Sequence, residues 1–201
     1  MKNGKLVATL GAVALVAAVG LGSTLAYLSA ETDTVTNKFT LGNVSFGLNG
    51  GLAEQEVVLQ NGKYVIGDGA DENTTVDWVQ TNTYAKVTPG ETVAKNPTAF
   101  IGSDSEDAWL FVRVSKSADF EDIEFNKDLF TVVDDTNDAY TDLRLTEKAV
   151  KNGQYLIFSE VTVADVTNNE TLDNITIKAA LIQAEGITAE AAYTNATDLL
   201  E

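Results

Sequence analysis

An uncharged apolar run that passes straight into a strand pattern constrains this chain more than any other feature. Residues 6–30 carry no charge, Lys2 and Lys5 precede them, and the first acidic residue is Glu31. A basic start, an apolar middle and small residues before the next element make the layout of a secretory signal peptide. The 25 uncharged residues are also long enough to cross a bilayer as a helix. Two features favour cleavage over retention. The run is diluted by glycine and alanine (Gly11, Gly20 and Gly22 among them), and no basic or aromatic belt closes its outer end. The expected signal peptide is residues 1–27, with Ala26 and Tyr27 marking the cleavage region. A cut after Ala26 puts Thr24 at the third position before it, and a cut after Ala30 is the alternative.

The segment beyond the apolar run is extended. Val35, Phe39 and Leu41 share one face of a period-two pattern, with Thr34, Thr36, Lys38 and Thr40 on the other. After Gly42 and Asn43 the phase flips, and Val44, Phe46 and Leu48 become the apolar set. A one-residue phase change turns every side chain to the opposite face, so Gly42 and Asn43 are expected to form a bend or hinge. The division is therefore an N-terminal strand over residues 28–42 and a domain over residues 43–201.

The domain reads as β throughout. Asn61-Gly62 lies between two apolar runs, as type I′ hairpins require, and Asn152-Gly153 repeats the signal. Further strands are expected at "TVDWVQ", at "TYAKVTPGET" with a Pro89-Gly90 turn, at "AWLFVRVSKS" and at "ETLDNITIKAALIQAE". In "WLFVRV" both faces are apolar, with Trp109 and Phe111 on one and Leu110, Val112 and Val114 on the other, so this strand should be central. Helix signals are few: a short one near "SADFEDIEF" or "NKDLF", and a final "TAEAAYTNATDLLE" with Thr188 as N-cap. The expected fold class is mainly β: a β-sandwich, jelly-roll or Ig-like, with a few short helices.

Composition removes most chemistry. With no histidine and no cysteine, the usual general base of serine and cysteine hydrolases, the thiol nucleophile and the H-E-x-x-H zinc site are all missing. "VVDDTND" lacks the glycine and the second copy of an aspartic-protease loop, and reads as an acidic turn. No catalytic residue and no cofactor-binding or metal residue is assigned. The acidic loops around Asp68, Asp71 and Glu72, Asp104, Glu106 and Asp107, Asp134, Asp135 and Asp138, and Asp165, Asn168, Glu170 and Asp173 offer oxygens suited to Ca²⁺, but none matches a known calcium loop. The formal net charge of −17 repels nucleic acid and anionic lipid, so neither is an expected partner. The last residues, "ATDLLE", carry no sortase-type sorting signal, so covalent wall attachment is not expected.

Three blocks of the chain resemble the TasA/camelysin (CalY) family of Firmicutes, exported through the signal peptidase SipW. The first is "GLGSTLAYLSAETDTVTNKFTLGNVSF", through Gly22, Ala26, Tyr27, Leu28, Ser29, Val35, Asn37, Phe39, Gly42 and Val44; it departs at Ala30 and Glu31. The second is "VTPGETVAKNP…SEDAWLFVRVS", through Pro89, Gly90, Glu91, Lys95, Asn96, Ala108, Trp109 and Arg113. The third is "IKAALIQAEGITAEAAY", through Ala179, Ile182, Gln183, Ala184 and Gly186. Residues 118–172 match no family pattern. The resemblance implies a secreted subunit of extracellular biofilm matrix fibres, whose partners are itself, a SipW-type peptidase and other matrix proteins. It also implies that the N-terminal strand of one subunit completes the sheet of the next, with Val35, Phe39 and Leu41 as donor residues and Gly42 and Asn43 as hinge. Camelysin has been classed as a metallopeptidase, an activity that a chain without histidine is not expected to share. The alternative is a monomeric accessory or binding protein of the cell surface or matrix, which anchors or regulates a fibre built by another protein. The two differ in whether the chain polymerises alone.

Overall fold

The computed structural model describes residues 29–31, 43–67, 76–85, 87–165 and 171–201. These form a mainly β structure of several antiparallel sheets and one α-helix, with no closed barrel among the described residues. The largest sheet has five strands in the order β1 (Ser29–Glu31), β13 (Ile177–Gln183), β8 (Ala108–Ser115), β10 (Tyr140–Leu145) and β9 (Phe130–Asp134). A second sheet runs β11 (Gln154–Leu156), β7 (Thr98–Phe100), β2 (Leu52–Gln55) and β5 (Trp78–Val79). Two ribbons complete the set: β12 (Glu160–Thr162) with β6 (Thr92–Ala94), and β3 (Val57–Gln60) with β4 (Lys63–Ile66).

The two-faced pattern of "WLFVRV" has its expected consequence. β8 lies inside the large sheet between β13 and β10, and its two faces serve two separate cores. Leu110, Val112 and Val114 join Leu143 and Leu145 of β10 and Ala179 and Leu181 of β13 in the main core, which also takes Ala99, Val93, Tyr64 and Val161 from the smaller sheets. Phe111 on the other face packs with Ala180 and Ile182 of β13 and with Ala192, Ala196 and Leu200 of helix α1 (Ala189–Leu200). The helix covers the sheet with alanines at i, i+3 and i+7, small side chains that let its backbone lie close to the strands. Thr188 caps it as expected, accepting a hydrogen bond from the Ala191 amide at 3.3 Å.

The two Asn-Gly turns differ in outcome. Asn61 and Gly62 both have positive φ, at 53° and 80°, and join β3 to β4 in a tight hairpin. Asn152 also has positive φ, but no hairpin forms there: β11 pairs with β7, not with the residues before the turn. The preceding stretch makes only an isolated bridge, Ala149 to Ala108. The turn is closed locally instead, with the Gly153 amide donating to Val150 and the Val150 amide donating to the Tyr155 hydroxyl. No helix forms near "SADFEDIEF" or "NKDLF"; those residues make turns and a bridge from Phe120 to Val163. Among the described residues, the expectation of a few short helices is thus corrected to one α-helix and a 3-10 turn at Leu48–Gly51. Leu48, expected to alternate with Val44 and Phe46, sits exposed in that turn while Val44 is buried and Phe46 bridges Ile101.

Candidate functional site

The site begins at the edge of the large sheet. β1 runs antiparallel along β13, with Ser29 facing Ile182, Ala30 facing Leu181 and Glu31 facing Ala180. β13 is seven residues long and β1 three, and β1 lies along Ala180, Leu181 and Ile182. The inner side of β13 is fully paired to β8 over its whole length, from Ile177 against Val114 to Gln183 against Ala108. β13 is therefore a fixed strand with β1 seated on its outer edge, and a sheet edge is a template for pairing.

The helix behind that edge is locked. Asp142 of β10 is completely buried and takes Arg113 of β8 side-on, from Nε to Oδ1 at 2.7 Å and from Nη2 to Oδ2 at 2.8 Å. Arg113 also donates from Nη1 to the carbonyl of Leu200 at 3.3 Å, and its guanidinium carbon stands 3.7 Å from the centre of the Tyr140 ring. Tyr193 of α1 donates its hydroxyl to Asp142 Oδ2 at 2.7 Å. Burial, and then the bond to the Asp142 carboxylate, push the Tyr193 hydroxyl well above its ordinary pKa, so it stays a donor. The bond from Asp142 raises Arg113 further above its ordinary range. Lys178 of β13 donates to the Glu201 carbonyl just past the helix. Cations at the last turn also suit the helix dipole. The sequence reading missed this cluster. Its signal was an arginine on the Trp109 and Phe111 face of a central strand, which needs a buried acid beside it.

A second fixed point lies where the domain starts. Asn43 donates to Asp104 Oδ2 at 2.8 Å, and Ser45 donates its hydroxyl to Asp104 Oδ1 at 2.6 Å. The Glu106 amide donates to the Asn43 carbonyl at 2.6 Å and the Gly102 amide to Ser45 at 2.7 Å. The Ser45 hydroxyl bond, and then the loop amide, hold the Asp104 carboxyl below its ordinary pKa. Of the expected hinge, Asn43 is among the described residues and is pinned to the loop between β7 and β8. Gly42, the donor residues Val35, Phe39 and Leu41, and the cleavage residues Ala26 and Tyr27 lie outside the described residues.

The acidic loops among the described residues are occupied by their own turns, and Asp68, Asp71, Glu72, Asn168 and Glu170 lie outside the described residues. Asp134 accepts from the Thr136 amide and hydroxyl, and Asp135 pairs with Lys116 at 2.7 Å. Asp173 accepts from Ser117, and its amide donates to Asp119. Among the described residues no three acidic side chains converge as a metal site would require, and no helix is long and apolar enough to cross a membrane.

Comparison of the chain with family models, curated proteins and solved structures gave no match.

Proposed function

We propose that this chain is a secreted, non-enzymatic structural subunit of extracellular biofilm matrix fibres, a β-sandwich joined head to tail by its N-terminal strand after a SipW-type peptidase removes residues 1–27. One observation carries the reading: β1 is seated on the outer edge of the large sheet, along β13. In a fibre, the outer β13 edge of a neighbouring subunit takes this strand in trans, with Val35, Phe39 and Leu41 as its apolar donor residues. Donation from each subunit to the next does not close on itself, and so builds a filament.

One observation also favours the alternative of a monomeric accessory protein: β1 pairs with β13 of its own chain, as an edge strand that closes a monomer would. Electron microscopy of the mature protein, residues 28–201, beside a truncation starting at Asn43 separates the two. Filaments from the first and none from the second are expected for a fibre subunit. Globular particles from both, with and without salt or Ca²⁺, would exclude self-assembly and leave the accessory role.

A further inference from the structure

The chain has two arginines, Arg113 and Arg144, and the sheet places both on the outer face of β8 and β10. Arg113 pairs across to Asp142, and Arg144 lies opposite Phe111. Their surroundings differ. Arg113 is saturated by Asp142, Leu200 and the Tyr140 ring. The guanidinium carbon of Arg144 stands 5.8 Å from the centre of the Trp109 ring, and the Lys148 ammonium stands at the same 5.8 Å from that ring. The Nε of Arg144 is buried and has no hydrogen-bond partner. Among the described residues, neither Arg144 nor Lys148 forms an ion pair, whereas Lys95, Arg113 and Lys116 all do.

This is an unusual use of charge in a chain with 30 acidic and 13 basic residues. Two cations over one indole repel each other, and the ring's attraction is modest where water reaches it. A buried N–H without an acceptor is a further penalty. A carboxylate relieves the repulsion, since a guanidinium takes it through two parallel N–H groups. The same sheet already holds one such bidentate pair at Arg113 and Asp142. Trp109 is held in place as the floor, its Nε1 donating to the Ile187 carbonyl at 3.2 Å.

We infer that Arg144, Lys148 and Trp109 form a carboxylate-binding site. Arg144 takes the carboxylate through its Nη groups, Lys148 adds a second positive charge, and the indole fixes the plane. The carboxylate is either that of a free small acid or an acidic side chain of a second copy of this chain.

The two arginines make the test direct. A ¹⁵N-labelled sample gives two arginine Nε–Hε signals, of which Arg113, bound to Asp142, is the internal reference and Arg144 the reporter; Arg144→Gln assigns them by removing one. Succinate added to dilute protein should shift the Arg144 signal and the Trp109 indole signal saturably, leaving Arg113 in place. Lys148→Gln should weaken that binding roughly two- to fivefold, the loss expected for one partly exposed ion pair. If the carboxylate comes from a second copy, the Arg144 signal moves with protein concentration and succinate reverses that movement. A protein that never forms filaments leaves the succinate result unaffected, so this test and that of the fibre reading fail separately. No shift under any of these conditions overturns the site. So does a shift with inorganic phosphate but not succinate, or an equal movement of both arginine signals, which marks an adventitious ion only.

Discussion

β1 and α1 both rest on β13, and they are held in opposite ways. α1 is bound through apolar packing of Ala192, Ala196 and Leu200 and through a buried network in which Asp142 is shared by Arg113 and Tyr193. β1 is bound by the backbone pairing of three residues. At ~1 kcal/mol net per hydrogen bond, the three described pairs supply ~2–3 kcal/mol. Removing one member of a buried ion pair alone costs ~3–5 kcal/mol. One element is part of the domain's stability; the other, on the proposed reading, occupies a seat that a second strand can compete for. In a filament built by strand exchange, that is the required division: a rigid acceptor and a weakly held donor.

The comparison breaks first at Asp142. Asp142→Ala leaves Arg113 charged and uncompensated, and is expected to lower unfolding free energy by ~3–5 kcal/mol in urea titrations. An effect below ~1 kcal/mol would mean that the helix is not locked by this network. Tyr193→Phe removes one bond to the same carboxylate and should cost ~1.5–3 kcal/mol, again by urea titration. The truncation at Asn43 should cost ~1–2 kcal/mol in the same assay, because it removes β1 and none of the core residues described above. A truncated protein that melts as a molten species would show that β1 belongs to the core and cannot exchange.

The smallest effect is expected at the start of the domain. The Asp104 carboxyl titrates below its ordinary value, so its contribution is present above the unfolded pKa of ~3.9 and is lost as pH falls through the folded value. Asp104→Ala should therefore resemble the parent in strongly acidic buffer and differ from it near neutrality. Amide exchange of Ser45 and Glu106, faster in the variant only at the higher pH, checks this; identical exchange at both would mean that Asp104 does not hold Asn43 and Ser45.

Much of this architecture could be read from the residues because it rests on local periodicity. "WLFVRV" marked a central strand, "IKAALIQ" a further strand, Asn61-Gly62 a hairpin and Thr188 the start of a helix. The misreadings came where tertiary partners override local signals. Asn152-Gly153 has hairpin chemistry, but β7 offers Gln154 to Leu156 a better partner than the residues behind the turn. Leu48 continues an alternation, yet positive φ at Asn49 and Gly50 turns the chain before a strand can form. The polar network around Asp142 joins residues 29 and 51 positions apart, and no periodicity reports a contact of that kind. The pinning of Asn43 by Asp104 spans 61 positions for the same reason.

Exchange of β1 between molecules is the central claim, and the lack of cysteine makes it open to a direct measurement. Glu31 and Ala180 face each other across the β1–β13 pair. Mature Glu31→Cys protein is mixed with mature Ala180→Cys protein under assembling conditions and then oxidised. Strand exchange predicts a disulfide-linked heterodimer that retains filaments, and suppression of that product when the truncation at Asn43 replaces the Glu31→Cys partner. Cross-linking confined to the double variant, as a monomer, with none in the mixture, would contradict exchange and leave β1 as the edge strand of its own chain.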